Sequence, residues 1–393
     1  MRKVNSIFKR EFDMINFCDK ERCCACGACV QKCEMNAITM APDKYGNYYP
    51  NIDKNKCIEC GLCENVCPMI HTDKSTNLCN TYAVQLKSNE TLRNSASGGA
   101  FFAMAECFIN NGGIVCGCAY DDKLIPTHIS IVSRDQLREL QGSKYVRSTV
   151  EIYNDICEYL KKGKAVLFSG TPCQCQAVRL FCKKFNTNLF TVELICHGVI
   201  DKEYWMDYIH FLESKHSAQI LTYVFRSKKR ESGFISEYRV RYSKPNLIFR
   251  KNVFYETQAT SYYYNHFLKG KVYRECCYRC PYACNHRASD VTIGDYWGYR
   301  GTIDKVNGIS AVIVNSEKGQ VLFDSIKKVV NYEEQTFENI VQHNEQLKKP
   351  YSIEKKDYTL LEDWKKYGAK YLDERHQRQH WKAYLLSKFG VIR

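Results

Sequence analysis

Two cysteine runs of identical spacing, C-x2-C-x2-C-x3-C, constrain this chain more than anything else in it: Cys23, Cys26, Cys29 and Cys33, then Cys57, Cys60, Cys63 and Cys67. Three thiolates two residues apart can wrap one corner of an iron-sulfur cubane only where the backbone turns tightly, which accounts for Gly27 and Gly61. With this spacing the fourth cysteine of each run ligates the cluster of the other run. Cluster I is therefore assigned to Cys23, Cys26, Cys29 and Cys67, and cluster II to Cys57, Cys60, Cys63 and Cys33. The fourth cysteine of each run is expected to start a helix aimed at the other cluster, and residues 36–40 and 47–50 to form short strands. Paired C-x2-C motifs also build structural zinc sites, but those rarely add a third and a fourth cysteine at these offsets, twice over. Glu34 stands where many such runs carry proline, and Cys24 is an extra thiol beside a ligand. Cys18 and Cys79 lie outside the pattern and read as plain cysteines.

The first fold expectation is thus a bacterial-type dicluster ferredoxin domain over residues 14–72 holding two [4Fe-4S] clusters. Compartment agrees with it. The chain has 23 cysteines, and its first residues, MRKVNSIFKREFDMINF, contain no hydrophobic signal core. A cytoplasmic location is expected, where thiols stay reduced and serve as metal ligands rather than disulfides. The most apolar stretch, residues 101–118, is broken by Glu106, Asn110 and Asn111, so no membrane insertion is expected. The formal net charge of +14 favours acidic partners, expected here as ferredoxin or another small acidic electron carrier rather than nucleic acid.

Beyond a polar linker near residues 71–77, strands and helices alternate, the pattern of an α+β or α/β core. Strands are expected over residues 81–87, 113–119, 125–132, 164–168 and 189–195, with helices over 98–111, 136–140, 150–160 and from 172 to about 185. Strand, helix, strand over residues 164–195 implies a parallel crossover, whose ligands sit beyond the carboxyl ends of the strands. Thr171, Cys173, Cys196 and His197 fall there. With Cys277 and Cys280, the pair Cys173 and Cys196 would complete a third four-thiolate site, with Cys284 as a substitute; equally, the first two could be core cysteines. Neither a G-x-G-x-x-G fingerprint nor a P-loop is present. Two glycine turns, Ser95 to Ala100 and Gly142 to Tyr145, could cradle a phosphate or simply cap helices. The cationic run Arg226-Ser227-Lys228-Lys229-Arg230 reads as a solvated loop or, in a functional version, as a grip on an acidic cofactor tail or a partner carrier, and Trp364, Tyr367, Tyr371, Trp381, Tyr384 and Leu385 read as packing residues of a helical C-terminal tail.

Taken in order, Ser97-Gly98-Gly99, Gly142-Ser143-Lys144-Tyr145, Ser169-Gly170-Thr171-Pro172-Cys173-Gln174, Cys196-His197-Gly198, Phe225-Arg226, Cys277-Tyr278-Arg279-Cys280 and residues 290–298 resemble the coenzyme F420 hydrogenase/dehydrogenase beta subunits. The likeness is to the form with an N-terminal two-cluster domain. It implies a mixed α/β flavin- and cluster-binding core, with family-type domains over residues 78–150 and 151–330 and a helical tail over 331–393. It also implies a third [4Fe-4S] cluster on Cys173, Cys196, Cys277 and Cys280, and an FAD contacted by Ser97, Gly98, Gly99, Ser143, Lys144 and Thr171. The expected activity is a flavin- and iron-sulfur-dependent oxidoreductase, with a deazaflavin or another organic acceptor and with His197 and Lys144 as candidate catalytic groups. An electron-relay subunit docked on a larger dehydrogenase or hydrogenase is the alternative.

Overall fold

The computed structural model describes residues 18–72, 80–228, 235–242 and 251–388. Cys79, most of the linker, Lys229, Arg230 and the Tyr384 side chain lie outside them.

In the N-terminal unit, β1 (Ile38–Pro42) and β2 (Tyr48–Ile52) form an antiparallel pair between the two cysteine runs. Each run winds into a short helix, Ala28–Lys32 or Leu62–Asn65. Contrary to expectation, Cys33 and Cys67 follow these helices instead of starting them, because Cys29 and Cys63 already lie within the first turn. Gly27 (φ 83°) and Gly61 (φ 71°) adopt the left-handed conformation demanded of them, and so do Ala25 (φ 53°) and Glu59 (φ 55°), whose side chains make that cost free energy. Both runs hold the same strained loop, as a shared ligand geometry would require.

The core is one eight-stranded sheet. Its strands are β3 (Asn80–Leu86), β4 (Ile114–Tyr120), β5 (Pro126–Ile131), β6 (Val166–Gly170) and β7 (Leu189–Leu194). A separate three-stranded antiparallel sheet follows, made of β8 (Ala218–Val224), β9 (Ser236–Tyr242) and β10 (Val253–Glu256). The chain then returns to the large sheet with β11 (Val291–Asp295), β12 (Ser310–Val314) and β13 (Val330–Gln335). The strand order is β13-β3-β12-β11-β7-β6-β4-β5, with β11, β7, β6 and β4 mutually parallel and antiparallel strands at both edges. The parallel β6 is buried throughout, as its unbroken apolar run anticipates for a strand covered on both faces.

This sheet crosses the boundary expected near residue 150, since β3, β4 and β5 precede it and the other five strands follow it. The stretch 331–393 likewise opens in β13 before turning helical. Hydrogen bonding across the sheet couples the two segments into one layer, which periodicity along the chain cannot show.

Two long helices flank the small sheet. Lys202–His216 packs on β8 through Trp205, Tyr208 and Leu212, and Tyr358–Gln379 docks on that helix through Trp364, whose indole donates to Asp207 at 2.7 Å. Tyr367, Trp381 and Leu385 of the tail are exposed, so they are not packing residues as expected. Among the described residues no helix is long and apolar enough to cross a membrane.

Candidate functional site

The N-terminal unit is embedded in the core. Cys26, Ala28 and Val66 share a buried cluster with Val166, Phe168 and Val178, while Cys23, Cys67 and Met69 share another with Cys276 and Tyr282. Gln31 donates to the Val150 carbonyl at 2.7 Å and accepts from the Tyr153 N–H at 3.0 Å; the Tyr153 hydroxyl donates to the Cys26 carbonyl at 3.0 Å.

Cys23, Cys26, Cys29 and Cys67 line one small cavity, which places the fourth cysteine of the second run with the first three of the other. Burial, and then the neighbouring Cys23, Cys67 and Cys63, push the Cys29 thiol well above its ordinary range. Four thiolates gathered this closely repel one another unless a cationic centre lies among them, which iron supplies. Cys18 lines the same cavity, in contact with Cys23 and Cys67, so it is no bystander. At the other site Cys33 and Cys60 both act on the Cys63 thiol, and there Cys60 is exposed. No group of three or more His, Cys, Asp and Glu among the described residues is gathered as a single metal ion would need. The assignments therefore rest on spacing and on the shared cavity.

A much larger cavity, about 510 Å³, opens at the carboxyl ends of β4, β6, β7 and β11, within the size range of small-molecule and cofactor sites. Cys173 reaches it from the start of the helix Pro172–Phe181, Cys196 from just past β7, and Cys277 and Cys280 from the turn Glu275–Arg279 and its end. Burial, and then Cys173 and Cys196, drive the Cys280 thiol up, so these groups face one another. Cys284 is turned away, its thiol donating to the Pro281 and His286 carbonyls at 3.4 Å each. Cys24, the extra thiol, lines both cavities and touches Cys173 and Cys26.

Ser97, Gly99, Ser143, Lys144, Thr171 and His197 line this cavity as well. Gly98 does not: a Cβ there would lie 2.1 Å from the Val84 carbonyl and 2.4 Å from the Ser310 N–H, so it is glycine because it passes between β3 and β12. The Ser97 hydroxyl donates to the Ile309 carbonyl at 2.8 Å. Thr171 caps the Pro172–Phe181 helix, its N–H donating to Gln174 Oε1 at 3.0 Å and its Oγ1 lying 3.2 Å from Cys173 Sγ. Lys144 donates to the Glu139 and Gln141 carbonyls at 3.0 and 2.9 Å, and burial lowers its pKa. Burial also lowers that of His197, opposed by Asp295 and helped by Arg226.

Three cationic or titratable groups at or near this cavity take their surroundings from the tertiary structure. Arg226 pairs with Asp295 at 2.8 Å and lies 5.6 Å from the Trp297 ring centre, so it is not part of a solvated loop. Lys228 is likewise held inside, on the Leu92 and Ser97 carbonyls at 2.9 and 2.6 Å. His128 Nε2 donates to the Ser169 carbonyl at 3.0 Å and the ring stacks on Phe168, and burial depresses its pKa to about 4.

Residues 22–69 match the 4Fe-4S dicluster domain, and residues 163–340 match the family described as the C terminus of the coenzyme F420 hydrogenase/dehydrogenase beta subunit. Residues 163–340 thus carry the C-terminal region of that beta-subunit family. With the dicluster domain in front of that region, the chain is an iron-sulfur electron-transfer protein. No curated protein matches the chain. Among solved structures it is similar to a chain of the xenon-derivatised F420-reducing [NiFe] hydrogenase complex from Methanosarcina barkeri, at 14% identity over 80% of this chain and 94% of that one, with a TM-score of 0.43.

Proposed function

We propose that this chain is an oxidoreductase that passes electrons between its N-terminal clusters, a third [4Fe-4S] cluster on Cys173, Cys196, Cys277 and Cys280, and an FAD in the large cavity. A deazaflavin or another organic molecule is the terminal partner. One observation carries the reading: the four cysteines and the glycine turns at Ser97 and Ser143 line the same cavity. The donor set fits, since four mutually facing, half-buried thiols suit a cationic cluster, and backbone N–H groups at the helix start after Gly99 suit an anionic phosphate.

A bound flavin would supply the exchange between single electrons and a hydride. The chain's own residues do the rest. Arg226, fixed by Asp295 and stacked near Trp297, brings positive charge to the cavity wall, where an anionic ligand gains from it. Thr171 presents its hydroxyl to the Cys173 sulfur, and a hydrogen bond to a ligating sulfur tunes a cluster's potential. Lys144 Nζ and the His197 ring are the candidate proton-holding groups at the wall.

The test is iron, sulfide, zinc and extractable flavin on anaerobically purified protein. About twelve irons and one FAD per chain are expected. About eight irons with no flavin would overturn the third cluster and the flavin site, and would favour a relay subunit docked on a larger dehydrogenase or hydrogenase.

A further inference from the structure

A buried ion group belonging to no motif grips the loop that carries the inner cysteines. Asp201 caps the helix Lys202–His216 and is 3% exposed. Its Oδ1 accepts from Arg147 Nε at 3.1 Å and from the Lys202 N–H at 2.9 Å, and its Oδ2 accepts from the Tyr48 N–H at 3.0 Å and from Arg274. Both guanidinium groups are buried and each also donates to the N-terminal unit, while Arg274 Nε has no hydrogen-bond partner. Arg147 donates to the Ala25 carbonyl at 3.2 Å; Arg274 donates to the Cys23 carbonyl at 3.2 Å and the Tyr48 carbonyl at 2.9 Å.

Two cations against one anion leave one net positive charge buried behind the loop of Cys23 and Cys26. Taking an unmatched charge out of water costs several kcal/mol, roughly, unless something negative faces it. A cluster with four thiolates is such a group, and one more electron makes it more negative. The outer site differs: its charged neighbours Lys56, Glu59 and Glu64 are exposed, and water screens them. Burial alone would make the inner cluster the harder of the two to reduce, since low dielectric opposes added negative charge.

We propose that Arg147 and Arg274, locked by Asp201, are positioning residues that raise the reduction potential of the inner cluster and so let electrons entering at the exposed outer cluster move inward toward the large cavity. In this step the outer cluster gives up one electron, the inner cluster gains it, and no bond or proton changes. The inference rests on the reading that Cys23, Cys26, Cys29 and Cys67 hold a cluster.

The experiment is a redox titration followed by electron paramagnetic resonance on full-length, anaerobically purified protein. Arg147→Gln is expected to lower the midpoint of one cluster by about a tenfold change in its oxidised-to-reduced ratio, ~59 mV for one electron, and to leave the others in place. Arg147→Lys keeps the charge and recovers most of that shift. Asp201→Asn removes the anion, keeps both cations and moves the same midpoint upward. Shifts of one sign in Arg147→Gln and Asp201→Asn, equal shifts in every cluster, or no shift in protein with its full iron would overturn the proposal. Should Arg147→Gln fail to fold, the near-wild-type midpoint of Arg147→Lys and the upward shift of Asp201→Asn decide it. Failure of the underlying reading looks different: wild-type protein would then lack a second ferredoxin-type signal altogether.

Discussion

The two cysteine runs share a spacing, a left-handed residue before each glycine, and a short helix, yet they end in opposite surroundings. Cys23, Cys26 and Cys67 are buried against the core, with the Cys23 and Ala25 carbonyls held by Arg274 and Arg147, whereas Cys60 is exposed and nearby Ile58 is 64% exposed. Local sequence built the same loop twice; docking against the large sheet made one site internal and left the other facing solvent. An electron path needs that asymmetry, with one end open to a carrier and the other close to the cavity.

The sharpest way to break this comparison is to remove one ligand on each side. Cys60→Ser and Cys26→Ser should each cost about four irons per chain. Only Cys26→Ser should also lower the melting temperature of the core, because its cluster is part of the packing between the two. Equal losses of stability in thermal melts would show the two sites to be equally attached. Next in size, Asp201→Ala leaves two buried guanidiniums facing each other and should cost about 3–5 kcal/mol in denaturant unfolding. The outer counterpart, Lys56→Ala, breaks an exposed pair with Asp53 and should cost less than about 1 kcal/mol.

Acid sharpens the contrast on the core side. His128 is held neutral with a pKa of about 4, below its ordinary 6.5, so the unfolded chain binds a proton that the folded one refuses between those values. Stability should therefore fall by up to about 3 kcal/mol as pH drops from 6.5 to 4. His128→Gln should flatten that limb in melts recorded against pH, and an unchanged slope would count against this assignment. The smallest effect is expected at Trp381, 56% exposed on the C-terminal tail: Trp381→Ser should move stability by no more than about 0.5 kcal/mol.

Much of the fold was legible because its signals are local. The strands at 81–87, 113–119, 125–132, 164–168 and 189–195 stand within a residue or two of β3 to β7, since period-2 and buried-run patterns are carried by neighbours in the chain. The small sheet β8 to β10 and the pairing of β11 with β7 went unread, because both join segments far apart in sequence. The cavity was half legible. Thr171 and His197 follow strand ends, and Ser97 and Ser143 sit in glycine turns, whereas Arg226 lay in what looked like a solvated basic run until Asp295, some seventy residues on, paired with it. Gly98 is required by the backbone approach between β3 and β12, a need that residue order spells the same way as one for a phosphate.

Ligand spacing along a short loop is a covalent property, so the two cluster motifs, their crossed fourth cysteines and the tight turns at Gly27 and Gly61 follow from residue order alone. Burial is not a property of a segment. Which cluster faces inward, why Cys18 and Cys24 stand among ligands, and how Asp201 comes to hold two arginines against Cys23 and Ala25 depend on surfaces that meet only when the N-terminal unit docks on the sheet, where desolvation sets what each charge is worth.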